Sequence, residues 1–280
     1  MTYARLIVRA IALSAVTFTL YAVLLFGLAV IRHSSRRRAR WQALILHRWA
    51  QISAFILGLH IDANCNAPTA PFLLVSNHLS YVDVVVLASR LECSFVAKKE
   101  VESWRIIGAL CRGVGTIFID RRKRRDVVRV NDEIAQALED GRGVILFAEG
   151  TSSKGSSVLP FRSSLLEAAA RPGLPVSYAA VSYRVLGDAP PASLSVCWWG
   201  DMTFGRHFAG LLGLKRIQST VSFGSHGVRA DDRKTLAARL WIEVNRLFVP
   251  VELNSASPRL ALFDSQSTIG VEEQCNDATR

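Results

Sequence analysis

The chain has 280 residues, a length that suits one moderately large domain or one domain with appendages. Half of the residues are hydrophobic, the formal net charge is +11 and the pI is about 10. A surface with this charge attracts anions, so nucleic acid, anionic lipid or an acidic carrier protein would each fit as a partner. The five cysteines include no CxxC pair, which argues against a zinc ribbon.

An apolar stretch near the N-terminus, residues 10–31, is flanked by arginines. As a helix it would span about 33 Å, enough for the hydrocarbon core of a bilayer. It is too long for the apolar region of a signal peptide, and no small-residue cleavage site follows it. We therefore expect a retained anchor, either spanning the membrane or inserted from one side. The basic run 32–40 predicts that the C-terminal end of the stretch faces the cytoplasm.

The next segment, residues 41–59, is apolar with polar interruptions. It predicts an amphipathic helix that either lies on the membrane surface or packs on the main domain. A turn-rich linker over residues 63–68 follows. The predicted organisation is a membrane anchor with interfacial helices at 1–62, a main domain at 63–252 and a polar C-terminal tail at 253–280.

Strands and helices alternate over residues 70–250. Short apolar runs predict the strands, and helical stretches lie between several of them. The predicted strands are 72–76, 94–98, 115–119, 143–148, 176–182, 194–199 and 218–223, and the predicted helices include 81–90, 125–140, 161–171 and 231–248. This order predicts an α/β fold with a mostly parallel central sheet flanked by helices, preceded by a hydrophobic, membrane-anchoring helical segment.

A histidine and an aspartate follow the first predicted strand. Residues 76–83 read Ser-Asn-His-Leu-Ser-Tyr-Val-Asp, so His78 and Asp83 lie where open α/β sheets bind ligands, at the carboxyl end of a strand. We expect His78 in the loop, Asp83 on the first turn of the next helix and Ser80 as the N-cap of that helix. An imidazole hydrogen-bonded to a carboxylate has a fixed tautomer and can take a proton from an alcohol.

The role of this histidine has two interpretations. A lone His-x4-Asp pair is more often structural, but Asn77, the preceding apolar strand and a second polar cluster favour catalysis. No GxSxG motif supplies a protein nucleophile. A His–Asp pair without such a nucleophile indicates that the hydroxyl of the substrate itself attacks.

The second polar cluster, Glu149, Gly150 and Thr151, follows the apolar run 144–147. It superficially resembles a phosphate loop, but Lys154 precedes the second glycine instead of following it, which disfavours nucleotide hydrolysis. A sharp glycine turn after a strand can still present backbone N–H groups to an anion.

A third candidate, Arg121, lies just beyond the predicted strand 115–119. A guanidinium at the exit of a strand can bind phosphate or carboxylate with two hydrogen bonds. The basic residues 122–125 that follow are equally consistent with a solvated turn and with an anion site. Arg121 is therefore the better candidate for binding an anion.

Four segments in order resemble the sequence blocks of the glycerolipid acyltransferases, the family of lysophosphatidate acyltransferase. They are Asn77-His78-x4-Asp83, Gly115 to Arg121, Phe147 to Thr151, and Leu174-Pro175-Val176, within about residues 70–185. The resemblance implies transfer of an acyl group from acyl-CoA or acyl-carrier protein to the hydroxyl of a lysolipid, without a metal or a bound cofactor. It also implies work at the cytoplasmic face of the cell inner membrane, in agreement with the anchor and the positive charge.

The resemblance also assigns roles to the candidate residues. His78 would be the general base and Asp83 its partner, with Asn77 and Ser80 in supporting positions. The residues that would contact the head group of the acceptor are Arg121, Glu149, Gly150 and Thr151.

Two departures from the family pattern concern the acceptor. The third block commonly reads Phe-Pro-Glu-Gly-Thr-Arg, whereas this chain has Ala148 for the proline and Ser152 for the arginine. Without that arginine, the phosphate of lysophosphatidate would be held less strongly. Residues 149–153, 158–166 and 197–202 resemble more closely the branch that acylates lyso-ornithine lipid. We therefore favour lyso-ornithine lipid as acceptor and keep lysophosphatidate as the alternative.

Two alternatives belong to other functional classes. The basic clusters also fit a membrane-tethered protein that binds anionic lipid or nucleic acid, although no nucleic-acid motif is recognisable and nucleic acid is not expected. A thioester or ester hydrolase would use the same residues, with water in place of the lipid hydroxyl.

Overall fold

A computed structural model describes residues 2–120, 122–170 and 173–251. Seven strands form one sheet in the order β1-β7-β6-β2-β5-β3-β4. The strands are β1 (Leu59–Ala63), β2 (Phe72–Ser76), β3 (Cys93–Lys98), β4 (Ile117–Ile119), β5 (Gly143–Phe147), β6 (Ser177–Val185) and β7 (Ile217–Phe223). All neighbouring pairs are parallel except β6 and β7, which are antiparallel. The predicted α/β class with a mostly parallel sheet is confirmed.

Ten α-helices accompany the sheet in the described ranges. They are α1 (Thr2–Val30), α2 (Ser35–Leu57), α3 (Val82–Ala88), α4 (Lys99–Glu102), α5 (Arg105–Gly113), α6 (Arg124–Glu139), α7 (Glu167–Ala170), α8 (Ala192–Ser195), α9 (Phe204–Gly213) and α10 (Arg233–Leu247). A single 3-10 turn, Ser163–Leu165, precedes α7.

Two hydrophobic cores cover the two faces of the sheet. Residues of α2, α3, α8 and α9 form the core on one face, and residues of α6, α7 and α10 form the core on the other. The central strands β2 and β5 are buried at every position. Strands buried on both faces have continuous apolar sequences, which explains why the runs 72–75 and 144–147 were recognisable.

The two N-terminal helices pack on the main domain. Ser34 caps the start of α2 by accepting a hydrogen bond from the backbone of Arg37, and Gly58 ends the helix with a φ of 68°. Ala50, Ala54 and other residues of α2 lie in the core, so the interpretation of segment 41–59 as packing for the main domain is the one the structure supports.

The helix α1 is long and apolar enough to cross a membrane by length and composition, and most of its apolar surface is exposed. It also packs against α2, α5 and α9. Trp49 Nε1 donates to Thr17 Oγ1 at 2.9 Å, and the Tyr21 hydroxyl donates to the carbonyl of Ala109 at 3.2 Å. One side of α1 is therefore attached to the domain and the other is free to contact lipid.

Three expectations about elements differ from the structure. The predicted strand 194–199 is wrong: α8 occupies its start, and residues 196–199 form a loop, in which the N–H of Trp198 donates to the carbonyl of Leu79 at 2.8 Å. The predicted helix 161–171 is reduced to the 3-10 turn and the short α7. The edge strand β1 was missed, so the sheet begins before the boundary predicted at residue 63. The predicted tail, 253–280, lies outside the described residues.

Candidate active site

Three loops meet at the carboxyl edge of the parallel strands. The loop after β2 holds His78, the loop after β5 begins at Ala148, and the third runs from α8 to α9. The N–H of Ser153 donates to the carbonyl of His78 at 3.0 Å, which joins the first two loops. The hydroxyl of Ser152 donates to the carbonyl of Trp198, which joins the second to the third. The sequence placed His78 and Glu149 at separate strand ends, and the structure brings them together.

His78 and Asp83 form a hydrogen-bonded pair. Nδ1 of His78 lies 2.8 Å from Oδ2 of Asp83, the His78 side chain is 21% exposed and the Asp83 side chain is fully buried. Because a carboxylate only accepts hydrogen bonds, Nδ1 carries the proton and donates it to this bond. The lone pair of Nε2 is then available to a ligand, which is the arrangement of a general base.

The carboxylate of Asp83 is held by four donors. Besides Nδ1 of His78, its Oδ2 accepts the backbone N–H groups of Leu79 at 2.7 Å and Ser80 at 3.0 Å. Its Oδ1 accepts the hydroxyl of Tyr183 at 2.6 Å. Burial, reinforced by the charge of Asp83, raises the pKa of Tyr183, so this phenol remains a hydrogen-bond donor. Asp83 is thus fixed in one orientation relative to the imidazole.

The start of α3 corrects one expectation. Asp83 lies on its first turn, as predicted, but Tyr81 occupies the N-cap position and makes no side-chain cap. The hydroxyl of Ser80 is buried and has no hydrogen-bond partner in the described ranges. The assignment of Ser80 as N-cap is therefore wrong. The reason is that Asp83 reaches back and accepts the loop N–H groups itself, including that of Ser80.

An aromatic side chain packs on one face of the imidazole. The ring of Phe147, at the end of β5, stacks on His78 with 4.1 Å between ring centroids and 16° between ring planes. Phe95 on β3 stacks behind Phe147 at 6.0 Å. The imidazole is therefore fixed by a hydrogen bond at its edge and by a ring on its face. The sequence analysis identified neither Phe147 nor Tyr183 as a site residue.

Glu149 is directed inward at the same edge. It is 3% exposed, its Oε1 accepts the backbone N–H of His78 at 3.2 Å, and its Oε2 is buried as well. Burial raises the pKa of Glu149 to about 8, and the charge of Asp83 adds to this effect, while hydrogen bonds from the backbone of His78 and of Leu159 oppose it. The predicted contact between Glu149 and an acceptor head group stays a prediction.

The remaining predicted residues have different positions. Gly150 has a φ of 77°, which permits the sharp turn after β5, and Thr151 is exposed beyond it. Asn77 bonds through its side chain to both backbone polar groups of Val181, with Nδ2 to O at 2.9 Å and N to Oδ1 at 2.7 Å. It therefore extends the pairing of β2 with β6. Arg121 lies outside the described residues.

A cluster of aromatic side chains borders the loop that follows His78. Tyr81 makes edge contacts with Trp198, Phe204 and Phe208, and Trp104 packs on Phe204. The hydroxyl of Tyr81 lies 2.9 Å from Nδ1 of His207, whose Nε2 lies 3.0 Å from the carbonyl of Cys197. Hydrogen bonds thus satisfy the polar atoms of the cluster, and its faces suit an apolar chain better than a charged group.

Comparison with solved structures identifies the fold. The crystal structure of the 1-acyl-sn-glycerophosphate acyltransferase from Thermotoga maritima matches with a TM-score of 0.59 and 16% sequence identity, covering 88% of this chain and 98% of that one. The two chains therefore share one fold.

Comparison of sequences identifies the family. Residues 59–182 match the acyltransferase family model. A lyso-ornithine lipid O-acyltransferase from Brucella abortus is 38% identical over 200 residues, which cover 67% of this chain and 75% of that protein. One from Rhizobium meliloti is 33% identical over 196 residues, 66% of each chain. A 1-acyl-sn-glycerol-3-phosphate acyltransferase from Neisseria gonorrhoeae is 30% identical over 146 residues, which cover 52% of this chain and 57% of that protein. The chain belongs to the acyltransferase family, and the predicted resemblance is confirmed.

Proposed function

We propose that this protein is a membrane-bound O-acyltransferase that moves a fatty acyl group from acyl-carrier protein or acyl-CoA to the hydroxyl of a lysolipid. The observation that carries the proposal is the 2.8 Å hydrogen bond between Nδ1 of His78 and the buried Asp83, which leaves Nε2 as a base. In the described ranges, no protein side chain donates a hydrogen bond to Nε2. The hydroxyl that it deprotonates is therefore assigned to the substrate.

The reaction that we propose has two steps. Nε2 of His78 takes the hydroxyl proton as the lipid oxygen attacks the thioester carbonyl, which gives a tetrahedral oxyanion. The oxyanion collapses, the carbon–sulfur bond breaks, and the imidazolium returns the proton to the leaving thiolate, so that an ester and a thiol result. Asp83 stabilises the imidazolium and does not itself take the proton. No metal or bound cofactor takes part in this scheme.

The favoured acceptor is lyso-ornithine lipid. Two relatives carry that name, and the chain has Ser152 where the family commonly has an arginine. The hydroxyl of Ser152 is engaged by the carbonyl of Trp198, so this position offers neither a charge nor a free donor to a phosphate. An ornithine head group carries an ammonium and a carboxylate and no phosphate, so it does not need that cation. Gly150, Thr151 and Arg121 are the residues that we assign to the acceptor head group.

The experiment that tests this function is an acyl-transfer assay on the purified protein. Lyso-ornithine lipid and lysophosphatidate are compared as acceptors, each with acyl-CoA and with acyl-carrier protein as donor. We expect ester formation with a higher kcat/KM for lyso-ornithine lipid. Faster transfer to lysophosphatidate would establish the alternative acceptor. The similarity to the enzyme from Neisseria gonorrhoeae supports that alternative. Release of free fatty acid at the same rate with and without lysolipid would identify a hydrolase and refute the proposal.

We further propose that the enzyme works at the cytoplasmic face of the cell inner membrane, with α1 inserted from that side only. The side chain of Arg5 donates to the carbonyl of Gly213 at 2.9 Å, and that of Arg9 to the carbonyl of Leu212 at 3.2 Å. These carbonyls end α9, so both arginines complete a helix C-terminus of the main domain. A helix held in this way at its first turns cannot place them across the bilayer from the domain. The exposed arginines of the run 32–40 would then face anionic lipid.

Site-directed labelling tests this topology. Tyr3 is 84% exposed at one end of α1 and Arg37 is exposed beyond the other end. We expect Tyr3→Cys and Arg37→Cys to react with a membrane-impermeant maleimide in inverted inner-membrane vesicles, and neither to react in intact spheroplasts. Labelling of the unsubstituted protein gives the background from the native cysteines. Reaction of Tyr3→Cys only from the outer side would show that α1 crosses the membrane.

A further inference from the structure

Glu149 occupies a position that binding an acceptor does not explain. It lies in the loop after β5, yet its carboxyl group is buried against the loop after β2 and does not face solvent. Its Oε1 accepts the N–H of His78 at 3.2 Å. Four residues further along the same loop, the N–H of Ser153 donates to the carbonyl of His78 at 3.0 Å. Both backbone polar groups of His78 are therefore bound by one loop, and Glu149 supplies one of the two bonds through its side chain.

These bonds determine where the imidazole of His78 is placed. Asp83 and Phe147 determine how the ring is turned. Asp83 also accepts the N–H groups of Leu79 and Ser80, but neither residue bonds to the backbone of residue 78 itself. The bonds from Glu149 and Ser153 determine where the Cα of residue 78 lies. A general base must approach its hydroxyl to hydrogen-bonding distance, so displacement of the backbone by 1 Å is costly to the rate.

We propose that Glu149 is a positioning residue, which holds the backbone of His78 through its carboxyl group and does not contact the acceptor. This inference rests on the proposed acyl transfer for its kinetic consequences. It departs from the role that the family resemblance gives to Glu149. A carboxyl group that binds an acceptor would be exposed, whereas Glu149 is 3% exposed and its second oxygen, Oε2, is buried too.

The surroundings of Glu149 favour its protonated form. The charged or titratable groups that face it are the carboxylate of Asp83 on α3 and His78 in the loop after β2, and within the described ranges no lysine or arginine forms an ion pair with it. Burial raises the pKa of Glu149 to about 8, from an ordinary value of 4.5. Two neighbouring carboxylates repel each other. When Glu149 is protonated, the carboxylate of Asp83 is the single negative charge of the pair.

Kinetics of two variants test the inference. Removal of the carboxyl group in Glu149→Ala is expected to lower kcat about 100-fold, with the KM for the lysolipid changed by less than about twofold, because the base is misplaced while the acceptor contacts remain. Glu149→Gln keeps an acceptor oxygen and no charge, so it is expected to recover at least about tenfold of that loss at pH 6.5. Glu139→Ala, which removes an exposed carboxylate on α6, is the matched control.

The pH dependence adds a readout that a packing role would not affect. The ionised carboxylate is disfavoured in this buried position beside Asp83, so its formation should loosen the loop that holds His78. We therefore expect the activity of the wild type to fall as the pH rises through about 8, where Glu149 ionises, and this fall to be missing in Glu149→Gln. The stability of the folded protein is also expected to fall as the pH rises. A raised pKa in the folded state means that this contribution to stability is present below pH 4.5 and is lost as the pH rises to about 8. The melting temperature of the wild type should therefore fall relative to that of Glu149→Gln between about pH 5 and pH 8.

Amide hydrogen exchange tests the positioning without any substrate. In the segment 77–83, exchange of the backbone N–H groups is expected to be faster in Glu149→Ala than in the wild type and to be restored in Glu149→Gln. A raised acceptor KM with unchanged kcat in Glu149→Ala, or a Glu149→Gln variant as inactive as Glu149→Ala, would overturn the inference. If Glu149→Ala does not fold, Glu149→Gln and its pH profile decide. If the wild type acylates no lysolipid, the proposed function fails, and the exchange and melting measurements still decide the role of Glu149.

Discussion

Replacement of His78 by alanine is expected to lower the rate of acyl transfer by a factor of about 1,000 or more. The substitution removes the base, Nε2, and with it the only ring nitrogen that is free to take the proton of the lipid hydroxyl. The backbone bonds of residue 78 to Glu149 and Ser153 do not involve the imidazole, so the loop is expected to stay in place. The measurement is kcat/KM for the purified variant, with its melting temperature as evidence of folding.

A second histidine provides the control for this prediction. His226 is exposed, and among the described residues its side chain bonds only to its neighbour Ser225, so His226→Ala is expected to change the rate by less than about twofold. Near-normal acylation by a folded His78→Ala protein would remove His78 from the mechanism. The proposed assignment of a proton transfer to Nε2 would then have no candidate among the described residues of this site.

The fold was predictable because the strongest signals in the sequence are physical consequences of burial. A strand covered on both faces, such as β2 or β5, has an uninterrupted apolar sequence, and the exits of these strands are where the polar residues His78 and Glu149 stand out. Asp83 was assigned correctly to the first turn of α3 for the same local reason. The edge strand β1 alternates polar and apolar residues over five positions, and this short pattern was not distinguished from the linker.

The partners of His78 and Asp83 could not be read from local patterns. Tyr183 follows Asp83 by 100 residues, so only the packing of β6 beside β2 reveals the hydrogen bond between them. Phe147 has the sequence context of any buried strand residue, and its stacking on His78 depends on the pairing of β5 with β2, in which Phe147 lies beside Ser76. Glu149 looked exposed because it is charged and adjoins a glycine turn. Long-range contacts of this kind decide orientation, which spacing along one chain does not encode.

Replacement of Asp83 by asparagine is expected to lower the rate of acyl transfer by a factor on the order of 1,000 while the protein remains folded. The buried carboxylate accepts three hydrogen bonds at Oδ2 and one at Oδ1. Asparagine can place its oxygen where the three donors meet and direct its amide group to Tyr183, whose hydroxyl also accepts. The loop is therefore kept, but the negative charge that stabilises the imidazolium is lost, and the base is weakened.

This variant also separates an enzyme from a basic binding protein. Asp83 is fully buried, so Asp83→Asn is not expected to change sedimentation of the protein with anionic lipid vesicles, while acyl transfer is lost. Asp132→Asn, on the exposed side of α6, is the matched control and should change neither quantity. Full acyl transfer by folded Asp83→Asn would show that the His78–Asp83 bond is structural. If Asp83→Asn instead no longer sediments with the vesicles, Asp83 contributes to lipid binding and does not act through His78 alone. The substitution therefore distinguishes two roles. The basic surface brings the protein to lipid, and the buried carboxylate makes the histidine a base.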